Sequence, residues 1–130
     1  MSTILFVDDH HAFRTVFGEI LRVAGHTVLE AGTVADAQHL IEGHSGVIDF
    51  LIAEAVLTTA NGLEAAQRLK HAHRHARVLF ISEESASSLR KEGLLPEGAP
   101  FLQKPFAAEA LMSKLQHLTK PAKKTLRHAG

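Results

Sequence analysis

Five side chains able to do chemistry stand where short apolar runs end. Asp8 and Asp9 follow TILFV (3–7), Glu54 follows DFLIA (49–53), Ser82 follows RVLFI (77–81) and Lys104 follows PFLQ (100–103). Carboxylates crowded together raise one another's pKa values and repel, unless a hard cation or a lysine offsets them. Mg²⁺ is the natural cation, because it takes oxygen ligands, keeps several waters and works with one or two carboxylates plus phosphate oxygens. A hydroxyl at Ser82 and an ammonium at Lys104 then complete a site suited to a phosphoryl group, with donors on its oxygens and positive charge opposite the metal.

These groups meet only if the intervening elements return the chain to one edge. TILFV is strand-like, and Phe13, Val16, Phe17, Ile20 and Leu21 mark one face of a helix that stops at Gly25. HTVLEA (26–31) is a second strand. Thr33 caps a helix with Val34, Ala37, Leu40 and Ile41 inward, ending at Gly43. DFLIA is the third strand, and Asn61 with Glu64 has the form of a capping box opening a helix that runs to residue 72. After RVLFI, the segment SEESASSLRKEG predicts a short helix and GLLPEGA (93–99) a loop broken by Pro96. PFLQ is the fifth strand, and beyond Pro105 the residues Ala108, Leu111, Leu115 and Leu118 give a last amphipathic helix. TKPAKKTLRHAG (119–130) loses the apolar period, so residues 1–120 are expected to form the domain and 121–130 a frayed basic tail.

Strands alternating with helices at this spacing require a parallel sheet covered on both faces, a doubly wound α/β fold. Ligands of such sheets sit beyond the carboxyl ends of the strands, where the strand order reverses. At 130 residues and 45% apolar composition, one domain with a sizeable core is expected. Fourteen basic and fourteen acidic side chains cancel, so no global field draws the chain to nucleic acid or an anionic membrane. The absence of cysteine excludes disulfides, thiolate catalysis and Cys-ligated zinc. The apolar run at the N-terminus is too short for a signal peptide or a membrane span, which makes a cytoplasmic protein the expectation.

Taken together, ILFVDDH (4–10), DFLIAE with NGLE after it (49–64), VLFIS (78–82) and FLQKPF (101–106) resemble the response regulator receiver domain of two-component signalling, over roughly residues 3–118. The resemblance implies a flavodoxin-like, five-stranded parallel sheet of order 2-1-3-4-5 with five helices. It further implies that Asp8, Asp9 and the acid ending the third strand hold Mg²⁺, and that this last acid receives a phosphoryl group from a kinase phosphohistidine. Ser82 and Lys104 would bind the phosphoryl oxygens, and Phe101 would change rotamer with Ser82 as the switch. The fourth helix, fifth strand and fifth helix would form the face for a histidine kinase, another signalling protein or a second copy.

Position 54 departs from that pattern, because glutamate stands where the family has its phosphoacceptor aspartate. Displacing a carboxylate by about 1 Å costs on the order of a hundredfold in a reaction that depends on in-line geometry. The longer side chain is instead expected to reach Ser82 and Lys104 and imitate part of an acyl phosphate's charge. Glu83 replaces the usual small residue after Ser82 and crowds the entrance. Leu57 and Thr58 replace the usual Met-Pro, which leaves the loop less rigid. Val56 retains a backbone carbonyl for a metal, and Glu84 has the chemistry to orient a water.

The expectation is therefore a single-domain pseudo-receiver that signals through protein contacts and is not an enzyme, with weak Mg²⁺ binding at Asp8, Asp9 and Glu54. Two alternatives stay open: a Mg²⁺-dependent phosphatase or phosphotransferase, and a receiver phosphorylated at low efficiency. The first is weakened by His10, which stands where a D-x-D nucleophile arrangement has its second acid. A flavin or nucleotide binder finds no Gly-rich loop after the first strand. His71 and His75 have i, i+4 spacing but read as a solvated helix end rather than a metal site. AKKTLR lacks the aromatic interleaving of a nucleic-acid surface.

Overall fold

The computed structural model describes residues 1–119, so the basic tail expected at 121–130 lies outside the described residues. Five strands alternate with five helices: β1 (Thr3–Val7), α1 (His11–Val23), β2 (Thr27–Ala31), α2 (Val34–Gly43), β3 (Phe50–Glu54), α3 (Gly62–Ala72), β4 (Arg77–Ser82), α4 (Ala86–Lys91), β5 (Phe101–Gln103) and α5 (Ala108–Thr119). The strands form one parallel sheet in the order β2-β1-β3-β4-β5. This is the doubly wound, flavodoxin-like arrangement expected from the sequence.

Strand alternation sorts the apolar residues into two cores. Leu5, Val7, Leu51, Ala53 and Phe80 face the layer of α2, α3 and α4, which contributes Ala37, Ile41, Ala65, Leu69 and Leu89. Ile4, Phe6, Ile52, Leu79 and Ile81 face the opposite layer, to which Leu21 of α1 and Leu111 and Leu115 of α5 belong. Because both faces are covered, Ile4 through Val7 and Leu51 through Ala53 are fully buried.

The helix starts follow their caps. Thr33 Oγ1 accepts the Asp36 N–H, Asn61 Oδ1 accepts the Glu64 N–H, and Ser85 Oγ accepts the Ser88 N–H. The expected capping box is only half formed, since Glu64 turns to Arg68 at 3.1 Å. At the end of α1, Gly25 adopts φ of 103°, the left-handed conformation that a glycine stop supplies. Val16 departs from its expected inward face and is 56% exposed, the core side of α1 being carried by Phe13, Phe17 and Leu21. Among the described residues, no helix is long and apolar enough to cross a membrane.

Register brings the functional residues level with one another. Val7 pairs with Ala53 and Ser82 with Gln103, so residues 8 and 54 lie side by side and residue 104 is one step beyond Ser82. Glu54 and Ser82 are themselves the last residues of their strands rather than the first residues after them.

Candidate functional site

The carboxyl edge of β1, β3 and β5 converges on one ammonium. Lys104 Nζ lies 2.8 Å from Asp8 Oδ2 and 2.9 Å from Glu54 Oε1. Asp8 is fully buried, Glu54 is 6% exposed, and the lysine side chain is 9% exposed. Their remaining oxygens are also engaged: Asp8 Oδ1 accepts the His10 N–H at 2.9 Å and Glu54 Oε2 accepts the Val56 N–H at 3.0 Å. Buried charges persist only when paired and hydrogen-bonded in this way. Burial alone would lower the Lys104 pKa, but its hydrogen bonds to Asp8 and Glu54, with their charges, raise it above the ordinary 10.5. The ring of Phe13 adds a cation–π contact, its centroid 4.3 Å from Nζ.

The loops that present these groups are tied down by further contacts. Lys104 N–H donates to the Ser82 carbonyl at 2.8 Å, which fixes the end of β5 against β4. Arg14 Nη1 donates to the Asp8 carbonyl at 2.6 Å, while its Nε meets Glu30 Oε1 at 3.1 Å. Glu30 also meets Arg22 at 2.9 Å, so α1 and β2 together brace the turn that carries Asp8. Gly62 lies against the strand end: a Cβ there would sit 2.7 Å from the Glu54 carbonyl oxygen and 3.3 Å from the Ala55 Cα.

Asp9 takes a different direction. Its Oδ2 accepts the Thr58 N–H at 2.7 Å and the Thr58 hydroxyl at 2.5 Å. Its partial burial would raise the carboxyl pKa, but the two Thr58 hydrogen bonds and the nearby Lys104 charge outweigh this and hold it below the ordinary 3.8.

The sequence-predicted residues are thus only partly brought together. Asp8, Glu54 and Lys104 form one cluster, whereas Asp9 is paired with Thr58. Ser82 is 3% exposed beside the cluster, and its Oγ accepts the Glu84 N–H at 3.2 Å. The anticipated reach of Glu54 to Lys104 is present; its polar contacts are with Lys104 and the Val56 N–H rather than with Ser82. Phe101 is half-buried on β5, opposite Phe80 in the register. Glu83 is exposed next to Ser82, and the Glu84 carboxylate accepts the Ser88 hydroxyl at 3.3 Å. His71 and His75 do not share a helical face, because α3 ends at Ala72.

The donor types suit Mg²⁺, but their arrangement does not. Among the described residues, no group of three or more His, Cys, Asp or Glu side chains gathers in a metal-binding arrangement. The lysine already stands between two of the expected ligands, and the third has both of its close hydrogen bonds from Thr58. Sequence reasoning missed four contributors: Thr58, Arg14, Phe13 and His10, whose Nδ1 caps α1 by accepting the Phe13 N–H at 3.3 Å. The absence of proline at 58, which leaves an N–H and a hydroxyl in the loop, was the one signal available.

Comparisons with known proteins point the same way. The sensor kinase CckA of Brucella abortus (strain 2308) is 26% identical over 119 residues, covering 90% of this chain and 12% of its own length. The transcriptional regulatory protein TcrA of Mycobacterium tuberculosis (strain ATCC 25618 / H37Rv) is 29% identical over 118 residues, covering 90% and 46%. The chain therefore spans less than half the length of these curated relatives. The crystal structure of the receiver domain from the hybrid histidine kinase CckA matches with a TM-score of 0.76 at 29% identity, covering 91% of this chain and 99% of that one. The family model for the response regulator receiver domain matches residues 4–116, a stretch that carries every residue of the acidic cluster. On fold and family match, the chain belongs to the response regulator receiver domain family.

Proposed function

We propose that this chain is a pseudo-receiver of two-component signalling, in which Glu54 takes the phosphoacceptor position and engages Lys104 as a standing substitute for part of a phosphoryl group's charge. Receiver domains are generally non-enzymatic modules that interact with histidine kinases and other signalling proteins, and they typically bind Mg²⁺ at the phosphorylation site. The observation that carries the reading is the 2.9 Å contact between Lys104 Nζ and Glu54 Oε1 in a nearly closed site. A carboxylate with one oxygen on an ammonium and the other on a backbone N–H has both oxygens hydrogen-bonded and is the weaker nucleophile for it, and a shifted attack position costs further rate. Glu83 at the entrance adds negative charge against an anionic phosphodonor.

In this reading the signal passes through contacts made by the face of α4, β5 and α5, to a histidine kinase, another signalling protein or a second copy. Ser82 and Phe101 are the proposed switch pair, and residues 121–130 are proposed to lie outside the folded domain. Support for the switch comes from the hydrogen bond between Lys104 N–H and the Ser82 carbonyl, which ties the acidic cluster to β4 and β5. Acetyl phosphate with Mg²⁺ tests the reading. Wild type is expected to take no acid-labile phosphate and Glu54→Asp to gain it. Strong labelling of wild type that disappears in Glu54→Ala would overturn it.

A further inference from the structure

Asp9 belongs by sequence to an acidic pair but is held by the loop that follows the neighbouring strand, β3. The Thr58 N–H and hydroxyl converge on a single oxygen, Oδ2, at 2.7 Å and 2.5 Å, across 49 positions of sequence. Two short donors on one oxygen occupy its lone pairs and fix the direction of the carboxylate. The neighbouring acids are satisfied without Asp9, since Asp8 and Glu54 share the Lys104 ammonium and each has a backbone N–H on its second oxygen. Mg²⁺ demands near-octahedral oxygen geometry and surrenders water reluctantly. To gather all three carboxylates about one ion it would have to pull Asp9 out of the orientation that Thr58 sets and displace, or sit against, an ammonium.

We propose that Thr58 is a positioning residue that diverts Asp9 from the acidic cluster, so that the folded site is complete without a divalent cation. Lys104 takes the charge-balancing place between Asp8 and Glu54, and Thr58 takes the cation's place on Asp9. The inference concerns the binding of metal and stands whether or not Glu54 accepts a phosphoryl group. Its test contains no phosphodonor, so its failure leaves the pseudo-receiver reading untouched.

The experiment is a Mg²⁺ titration of the full chain and of Thr58→Ser, Thr58→Val and Thr58→Pro. It is followed by calorimetry and by the backbone amide shifts at the tip of β3, with thermal melts verifying the fold. Serine keeps both donors, valine removes the hydroxyl, and proline removes hydroxyl and N–H together. Wild type and Thr58→Ser are expected to respond alike and weakly. Thr58→Val and Thr58→Pro are expected to bind Mg²⁺ more tightly, by on the order of tenfold, the scale on which residues that orient ligands act. That gain should vanish when Asp9→Asn is added. Should Thr58→Pro not fold, Thr58→Val decides. Equal Mg²⁺ affinity in wild type and Thr58→Val, or a gain that survives Asp9→Asn, would overturn the proposal.

Discussion

The ammonium of Lys104 lies 2.9 Å from Glu54 Oε1 while the same nitrogen lies 2.8 Å from Asp8 Oδ2. One cation therefore serves two buried anions, and the three residues are not equivalent. Removing the lysine strands both carboxylates, whereas removing Glu54 leaves the Asp8 pair intact. Taking one partner from a buried pair costs about 3–5 kcal/mol, most of it the penalty on the charge left behind. Lys104→Met should fall in or above that range by urea denaturation, and Glu54→Ala should cost clearly less. Equal losses would mean that the lysine is not shared as the geometry describes.

Alkaline stability follows from the same cluster. The folded Lys104 pKa lies above 10.5, so its contribution is fully present below 10.5 and is lost as pH rises through the folded value. Glu54→Gln keeps the length of the side chain but removes one of the two charges that raise that pKa. Its stability should therefore begin to decline at a lower alkaline pH than that of wild type. Parallel declines in the two proteins would show that Glu54 does not act on the lysine.

Much of this arrangement was legible in the sequence because it depends on periodicity. Apolar runs of strand length separated by helical patterns lead to a parallel sheet, and its register then forces residues 8, 54, 82 and 104 to one edge. Contacts made by exposed loop donors have no such period. Asp9 and Thr58 are both exposed, and nothing in their spacing indicates that a loop N–H and a hydroxyl close on one carboxylate oxygen. Val16 was misplaced for a related reason: α1 offers more apolar positions than its inner face accommodates, and Phe13 and Phe17 occupy that face.

Gly62 is a position where the site sets the sequence. A methyl group there would meet the Glu54 carbonyl at 2.7 Å and the Ala55 Cα at 3.3 Å, which are backbone atoms with no rotamer to change. Relief requires α3 to move away from the tip of β3. Gly62→Ala should destabilise the protein by about 1–3 kcal/mol, the usual cost of overpacking, and should perturb the backbone amide signals of Val56 and Thr58. Unchanged stability would show that the strand tip yields more readily than the close approach implies.

The acid limb of the stability curve isolates Asp9. Its folded pKa lies below the ordinary 3.8, because the two Thr58 hydrogen bonds and the Lys104 charge outweigh the effect of burial. Its contribution is therefore fully present above 3.8 and is lost as pH falls through the folded value. Thr58→Val removes the hydroxyl donor and keeps the N–H, so the carboxyl should titrate closer to 3.8 and stabilise the fold less at neutral pH. Other carboxylates titrate over the same range in both proteins and cancel in the difference. The gap in unfolding free energy between wild type and Thr58→Val should be widest above 3.8 and narrow as pH falls below it, once Asp9 is protonated in both. A gap that stays constant through acid would assign the effect of the substitution to packing rather than to the carboxylate. In that case the Asp9 carboxyl ¹³C titration would also coincide in the two proteins.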